Sequence, residues 1–280
     1  MTNALRGLRT LILTFAVSAF AGLSGSAWAG TGTGADAAEL ERTWASAPVY
    51  LPTAGSYRRL TTAELTAVLA GQSQLPSVVI YVHGCSGLGR AAVDAGEFLA
   101  SAGYLVIEPD SFARLAKPKS CDPAVHRGGL HREVLGWRHE EVKFSVRKLR
   151  ALAGASGVEV FLMGFSEGAI AVATFIGEPV RARIIEGWTC HAGWQEYRGL
   201  PTPPDEPVLA LVARDDPWFR LPVLQGDCGA FMTGRPLSRS IVYDPPSSLH
   251  EDHWLSWNNS VRREIVEFLS AQRSPRIEQR

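Results

Sequence analysis

The chain has 280 residues, of which 46% are hydrophobic and 20% charged, and its formal net charge at pH 7 is +0. This composition is typical of a globular protein, and the length fits either one large α/β domain or two small ones. The balanced charge gives no support for nucleic acid or an anionic membrane as the main partner, so we expect neither.

The N-terminus has the three parts of a secretory signal peptide. Arg6 and Arg9 precede an apolar run at 11–23, and small residues follow at Ala27 and Ala29. The apolar run is shorter than the roughly 20 residues that a membrane-spanning helix needs. We therefore predict a signal peptide at 1–29, cleaved after Ala29, a periplasmic or secreted protein, and no stable membrane insertion afterwards. An uncleaved anchor is the alternative.

Residues 30–59 are predicted to be an N-terminal lead-in segment, with a flexible start at 30–40. The first clear element after it is a short helix. Thr61 and Glu64 fit a capping box at its start, and Gly71 ends it.

From residue 77 onward, apolar runs rich in β-branched residues alternate with segments of helical spacing. The predicted strands lie at 77–84, 104–110, 158–163, 183–188, 207–213 and 240–244, and the predicted helices at 90–102, 132–154, 167–176 and 258–271. Between the second of these strands and the long helix, residues 111–131 contain two prolines, a cysteine and a Gly-Gly pair. We interpret them as an ordered loop that covers a site.

Strands that are apolar on both faces and alternate with helices indicate a mainly parallel central sheet with helices on both faces. A single α/β domain at 60–272 accommodates all of these elements, followed by a C-terminal tail at 273–280. In such sheets the ligand crevice lies at the carboxyl ends of the strands. Functional residues are therefore expected just after each strand.

Four cysteines occur in the chain, at Cys85, Cys121, Cys190 and Cys228. In an oxidising compartment an even number permits two disulfides. We expect Cys85 to pair with Cys121 and Cys190 with Cys228, and four buried free thiols are the alternative. No Cys or His cluster has the spacing of a zinc site, so we predict neither a metal nor a cofactor.

The stretch 164–168, Gly-Phe-Ser-Glu-Gly, connects a predicted strand to a predicted helix. A serine on such a sharp turn is held in a strained backbone conformation, and its neighbours two residues away must lack side chains for the turn to close. The serine oxygen then lies at a helix N-terminus, where N–H groups stabilise developing negative charge. We predict that Ser166 is a nucleophile, and a structural turn is the alternative.

A serine nucleophile needs a base and an acid that orients the base, and on this kind of fold they follow in the order Ser, acid, His. The strand at 207–213 ends before Asp215 and Asp216, and we favour Asp216 because the residue before a proline is extended. The loop after the last strand contains His250 and His253. We favour His250, since its distance from the C-terminal helix suits a catalytic loop, and His253 is the alternative base.

Two backbone N–H groups are needed to bind the oxyanion. One is expected from Glu167, directly after the nucleophile, and the other from Cys85, with Ser86 as the alternative. The sequence offers no role for the Glu167 side chain. Five tryptophans in the same loops could line an aromatic acyl pocket or fill the core: Trp188, Trp194, Trp218, Trp254 and Trp257.

The stretches YVHGCSGLG, LASAGYLVIEPDSFAR and VFLMGFSEGA, together with Cys121, resemble the dienelactone hydrolase-like branch of the α/β-hydrolases over residues 60–272. The resemblance implies a single-domain α/β-hydrolase fold with a nucleophile at Ser166 and the acid and histidine in the loops named above. Dienelactone hydrolases proper have a cysteine nucleophile, so the serine favours a general carboxylester hydrolase. Gly168-Ala169 also replaces the Gly-Gly frequent in the family.

Together these features predict an exported serine hydrolase that cleaves a small-molecule carboxylic ester or lactone through a Ser-His-Asp triad and an acyl-enzyme. Two alternatives are kept. One is a non-catalytic periplasmic binding protein on a hydrolase fold, and the other is a peptidase or polymer esterase. The sequence makes no prediction about the oligomeric state.

Overall fold

The computed structural model describes residues 34–69, 75–117, 119–152, 155 and 157–274. The strands are β1 (Pro48–Thr53), β2 (Ser56–Thr61), β3 (Val78–Val82), β4 (Leu105–Ile107), β5 (Val160–Phe165), β6 (Ala182–Glu186), β7 (Val208–Ala213) and β8 (Arg239–Tyr243). The α-helices are α1 (Gly34–Ala45), α2 (Thr62–Leu69), α3 (Arg90–Ser101), α4 (Glu133–Arg150), α5 (Glu167–Thr174) and α6 (Asn259–Ala271). The predicted signal peptide, its cleavage site and most of the predicted C-terminal tail lie outside the described residues.

The eight strands form one sheet in the order β2-β1-β4-β3-β5-β6-β7-β8. The six strands from β4 to β8 along this order pair in parallel, whereas β1 pairs antiparallel with both β2 and β4. The predicted fold class, a single α/β domain with a mainly parallel sheet, is confirmed. The carboxyl ends of the parallel strands share one edge, which is where a site is expected.

Successive residues of the buried strands pack against opposite layers of the molecule. In β3, Val78 and Ile80 belong to the apolar core that includes α4 and α5, and Val79 and Tyr81 belong to the core that includes α3 and α6. Because side chains alternate along a strand, a run that is apolar at every position is buried on both faces. This explains the continuous apolar runs of the sequence.

The sheet begins earlier in the chain than the predicted domain boundary at residue 60. The segment 30–59, predicted as a lead-in, contains all of α1, all of β1 and most of β2. In β1, Val49 pairs with Ile107 of β4, and Tyr50 is buried. The sequence analysis missed these strands because they are short and interrupted by Pro52, and because pairing with a distant strand stabilises them.

The predicted capping box at the start of α2 is confirmed. The N–H of Thr61 donates to the Glu64 carboxylate (2.7 Å), and the N–H of Glu64 donates to the Thr61 hydroxyl (3.2 Å). In the part of the chain that is described, no helix combines the length and apolarity needed to cross a membrane.

Both predicted disulfides are present. Cys85, in the turn after β3, is bonded to Cys121 in the loop at 111–131, and Cys190, after β6, is bonded to Cys228. Each bond thus joins a turn at the carboxyl edge of the sheet to a longer loop. The two loops are therefore covalently held where the site is expected.

Glu108, directly after β4, is fully buried. Burial raises the pKa of its carboxyl well above the usual range, and Arg59 and the Gly96 N–H only partly oppose this shift. The folded protein therefore keeps this proton at pH values where the unfolded chain has released it. The stabilising contribution is complete below about pH 4.5 and is lost as pH rises towards the raised pKa, by about 1.4 kcal/mol per pH unit.

We compare the free energy of unfolding of Glu108→Gln with that of wild type. The difference, variant minus wild type, should become more positive as pH rises from 4.5 to 8, because the amide has no proton to release. Urea unfolding at several pH values measures the difference. Glu251→Gln, at an exposed position, is the control and should follow the wild-type pH dependence. Parallel curves for Glu108→Gln and wild type would contradict the expectation.

Candidate active site

Ser166 occupies the sharp turn between β5 and α5. Its backbone has φ 57° and ψ −120°, a conformation that is unfavourable for a residue with a Cβ atom. The conformation is held from both sides, since the Ser166 N–H donates to the Glu186 carbonyl (2.9 Å) and its carbonyl accepts from the Ala169 N–H (2.9 Å). The strained turn exposes the hydroxyl at the N-terminus of α5.

The two glycines of the motif are required by close backbone contacts. A Cβ atom on Gly164 would lie 2.2 Å from the carbonyl oxygen of Gly168, and one on Gly168 would lie 1.9 Å from the carbonyl oxygen of Val82. Neither distance is compatible with a side chain, so strand, turn and helix pack this closely only with glycine at both positions. The Gly-x-Ser-x-Gly pattern thus reports a local steric constraint.

His253 lies between Ser166 and Asp216. Its Nε2 is 2.8 Å from the Ser166 Oγ, and its Nδ1 is 2.6 Å from the Asp216 Oδ2. The other carboxylate oxygen of Asp216 accepts the backbone N–H of Trp218 (2.9 Å), and the carboxylate is buried. A serine hydroxyl, an imidazole and a carboxylate are therefore connected by hydrogen bonds in one line, which is the arrangement that a nucleophile, a base and an orienting acid require.

The structure corrects the preference for His250. The Nδ1 of His250 lies 2.9 Å from Asp215, and this pair is separate from Ser166 and partly exposed, at 31% and 50% of the two side chains. In the turn that precedes His253, Leu249 is buried in the apolar core and His250 faces outward. Of the two aspartates, the favoured Asp216 is the one beside the serine–histidine pair.

The loop that carries His253 is anchored by Glu186, the last residue of β6. This buried carboxylate accepts the backbone N–H groups of Leu255 (2.8 Å) and Ser256 (2.6 Å) and the Ser256 hydroxyl (3.0 Å). Burial raises the pKa of Glu186, and the bonds from Ser256 and Leu255 oppose the shift. The sequence analysis missed this role, although a charged residue that ends an apolar strand is an available signal.

Aromatic rings fix the orientation of the imidazole. Trp218 stacks on the His253 ring at 5.2 Å between centroids, and Phe165 and Phe219 contact it at 5.2 and 5.8 Å. The backbone at Gly187 is also close to the ring, since a Cβ atom there would lie 3.3 Å from Cε1 of His253. The ring is therefore held by packing as well as by its two hydrogen bonds.

The candidate oxyanion residues Cys85 and Glu167 both line the cavity that contains Ser166. Glu167 is the first residue of α5, so its N–H has no acceptor within the helix. Its side chain is anchored away from the turn, by Arg138 Nη2 (3.0 Å) and by the Ser120 hydroxyl. Burial raises the pKa of Glu167, and the Arg138 guanidinium opposes that shift.

Arg138, on α4, connects the two candidate oxyanion residues and is only 1% exposed. The same Nη2 that contacts Glu167 also donates to the carbonyl oxygen of Gly84 (3.2 Å). That carbonyl belongs to the peptide group whose N–H is the Cys85 donor. One buried guanidinium thus contacts both the Gly84–Cys85 peptide group and the side chain of Glu167, the two candidate sources of oxyanion donors.

His83 completes this network as a neutral ring. Burial lowers its pKa well below the usual value, and Arg138 lowers it further. A proton on Nδ1 can be donated to the Gly84 carbonyl (2.7 Å), which leaves Nε2 to accept from the Ser111 N–H (3.2 Å). Neither residue was assigned a role from the sequence. Arg138 is 54 residues from the Gly84 carbonyl that it contacts, and His83 was considered only as part of the turn after β3.

A cavity of about 260 Å³ extends from Ser166. Its described lining contains no lysine or arginine, and its walls are apolar and aromatic: Ile170, Trp188, Ala192, Trp194, Tyr197, Trp218, Phe219, Leu221, Val223 and Leu224. Three of the five tryptophans considered from the sequence therefore line the pocket, and Trp254 and Trp257 do not. The shape and lining suit an uncharged apolar group next to the serine.

No protein-family description and no curated protein matches this chain. Among solved structures, a dienelactone hydrolase-like promiscuous phosphotriesterase from metagenomic libraries matches with a TM-score of 0.51 at 16% identity, over 81% of this chain and 98% of that one. A putative dienelactone hydrolase from Klebsiella pneumoniae matches with a TM-score of 0.49 at 16% identity, over 78% and 91%.

A serine hydrolase without a lid from Xanthomonas campestris matches with a TM-score of 0.49 at 13% identity, over 82% of this chain and 90% of that one. The α/β-hydrolase fold predicted from the sequence is confirmed by the strand order of the sheet and by the match with a TM-score of 0.51. At these identities the similarity concerns the fold, so the activity has to be argued from the residues of the site.

Proposed function

We propose that this chain is an exported serine hydrolase that cleaves a carboxylic ester or lactone with Ser166, His253 and Asp216. The observation that carries the proposal is the position of His253, whose two ring nitrogens lie 2.8 Å from the serine hydroxyl and 2.6 Å from the aspartate. A serine hydroxyl becomes an effective nucleophile when a base within hydrogen-bonding distance accepts its proton.

In the first half-reaction, the Ser166 Oγ attacks the carbonyl carbon while its proton passes to Nε2 of His253. The tetrahedral intermediate then breaks the bond to the leaving oxygen, which takes the proton from Nε2 and departs as an alcohol. In a lactone this alcohol stays attached to the acyl group. Asp216 keeps the Nδ1 proton in place and stabilises the imidazolium.

In the second half-reaction, water attacks the acyl-enzyme carbonyl and gives a proton to Nε2. The intermediate releases the carboxylic acid, and the proton returns to Ser166. In both halves the oxyanion is bound by the N–H groups of Cys85 and Glu167. Arg138 is a positioning residue in this proposal, because it holds the peptide group of one donor and the side chain of the other.

The lining of the cavity supports an ester whose acyl group is uncharged and apolar. A carboxylate on the acyl group would be desolvated there without a lysine or arginine in the described lining to pair with it. Ester hydrolysis at this site needs neither a metal nor a cofactor. The two disulfides support a non-reducing compartment, in agreement with the export predicted from the N-terminal residues.

Labelling with a fluorophosphonate tests the proposal directly. We expect the folded protein to form one covalent adduct, located by peptide mass spectrometry on Ser166. His253 would activate the serine hydroxyl, and the N–H groups proposed to bind the oxyanion would stabilise the charge that develops during the attack. Ser166→Ala and the unfolded wild-type protein are the controls and should remain unlabelled. A folded wild-type protein that forms no adduct and hydrolyses no short ester would contradict the proposal and favour a non-catalytic binding protein.

A further inference from the structure

Large apolar side chains are exposed around the mouth of the cavity at Ser166. Trp194, Leu221 and Val223 line the cavity and are also exposed to solvent. Val125 and Leu130 are exposed as well, in the loop whose Gly128 and Gly129 belong to the cavity lining. We call the five apolar side chains the rim: Val125, Leu130, Trp194, Leu221 and Val223.

Direct contacts connect the parts of the rim. The backbone at Gly129 approaches the Trp194 ring so closely that a Cβ atom would lie 2.5 Å from it. A Cβ atom on Gly193 would lie 3.6 Å from Val223, so the segment that carries Trp194 also adjoins the segment that carries Val223. The chain segments at Gly129, at 193–194 and at Val223 therefore adjoin one another at the mouth of the cavity.

Trp194 is held in place at this mouth. The Arg132 guanidinium lies 5.1 Å above the Trp194 ring and is also paired with Glu196. An exposed tryptophan fixed in this way presents a flat apolar face beside the cavity without the entropy cost of ordering a free side chain. The Arg132 guanidinium thus fixes the ring from one side, and the Trp194 side chain remains 39% exposed.

We propose that the rim binds the distal part of the substrate's acyl chain, so that the preferred substrates are esters whose alkyl chain fills the cavity and continues over this surface. The inference rests on the proposed function, because the ester carbonyl is placed at Ser166. Contiguous exposed apolar surface around a pocket marks a binding surface for an apolar group. The cavity itself is apolar up to the rim, so an alkyl chain that leaves it meets the same kind of surface outside.

The free energy of burying a methylene predicts the effect of chain length. Each methylene transferred from water to the protein corresponds to about a fourfold gain in kcat/KM. We expect this gain in the wild-type protein for p-nitrophenyl esters from acetate to decanoate, measured below their aggregation concentrations. In Leu221→Ser/Val223→Ser the gain should disappear for the longest chains, so that the ratio of kcat/KM for decanoate to that for butyrate falls by about fourfold for each methylene that loses its apolar contact.

Leu237→Ser is the matched control, since Leu237 is 60% exposed, as Leu221 is at 63%, and does not line the cavity. This variant should follow wild type at every chain length. Equal losses for short and long esters in the rim variant, or an unchanged chain-length profile, would overturn the proposal. A profile that is unchanged while sedimentation velocity shows the rim variant dissociating from a dimer would assign the surface to a contact between two copies.

Binding of 1-decanol to Ser166→Ala separates this proposal from the proposed function. Calorimetry should show binding that the two rim substitutions weaken about tenfold or more, as expected when two or more methylenes lose their apolar contacts. If the wild-type protein cleaves no ester but decanol binding still depends on the rim, the proposed function fails and the apolar-chain site stands. If decanol binds equally with and without the rim substitutions, the rim proposal fails.

Discussion

His253→Ala should lower kcat/KM for a p-nitrophenyl ester by about 10⁴- to 10⁶-fold, whereas His250→Ala should leave it within about twofold. The first substitution removes the base that contacts the Ser166 hydroxyl at 2.8 Å. The second removes an exposed partner of Asp215, and a surface pair of this kind contributes about 0–1 kcal/mol to stability. Steady-state kinetics on purified variants with matched circular dichroism spectra measure the difference.

The two aspartates provide the matched control for the same assignment. Asp216→Asn should lower kcat by about 10⁴-fold, because the amide no longer orients the Nδ1 proton or stabilises the imidazolium. Asp215→Asn should behave like wild type. A large loss in Asp215→Asn or in His250→Ala, with activity retained in His253→Ala, would reverse the assignment and require a different path of the loop that follows β8.

Arg138→Met should lower kcat by about 10²- to 10³-fold with little change in KM, an effect of the size seen when one oxyanion donor is lost. Without the guanidinium, the Gly84–Cys85 peptide and the Glu167 side chain lose their common hydrogen-bond donor. The KM should change little because Arg138 does not line the cavity. The measurement is kcat and KM at a temperature where the variant is folded.

Arg183→Met separates this effect from a general loss of stability. Arg183 is also 1% exposed and ion-paired with a glutamate, Glu206, but its other bonds are to the carbonyls of Val172 and Phe175, towards the far end of α5. Breaking a buried pair costs about 3–5 kcal/mol, so both variants should melt at lower temperature.

Only the Arg138 variant should lose kcat. The double variant Arg138→Met/Glu167→Gln removes both charges, should recover stability, and should still have low kcat. Equal loss of kcat in the Arg138 and Arg183 variants would show that Arg138 acts only through stability.

The elements that the sequence predicted well are those specified by local physics. The strand–serine–helix turn was predicted because one of its two steric requirements, that of Gly164 against the Gly168 carbonyl, arises within the motif itself. The requirement at Gly168 comes from Val82 of β3 and is seen only in the folded sheet. The buried strands were recognised because parallel strands covered on both faces are apolar at every position. The capping box at Thr61 likewise depends on a short stretch of chain.

Other features depend on contacts between residues far apart in the sequence. The edge strands β1 and β2 were missed because their stability comes from pairing, β1 with β4 and β2 with β1. Arg138 is remote in sequence from both turns that it contacts, so no local pattern could assign it a role. The rim was not considered at all, since its residues come from three separate loops that the fold brings to one cavity.

The choice of histidine shows where local information ends. His250 and His253 lie on the same loop, three residues apart, and either could follow the strand and reach across its end. Burial of Leu249 and the hydrogen bonds from Leu255 and Ser256 to Glu186 set the path of that loop. The sequence by itself indicated the turn at Ser166, because the spacing of its glycines and the apolar runs on both sides are local signals. Only the tertiary structure placed His253 beside that serine, because the carboxylate that anchors its loop belongs to Glu186, on the distant strand β6.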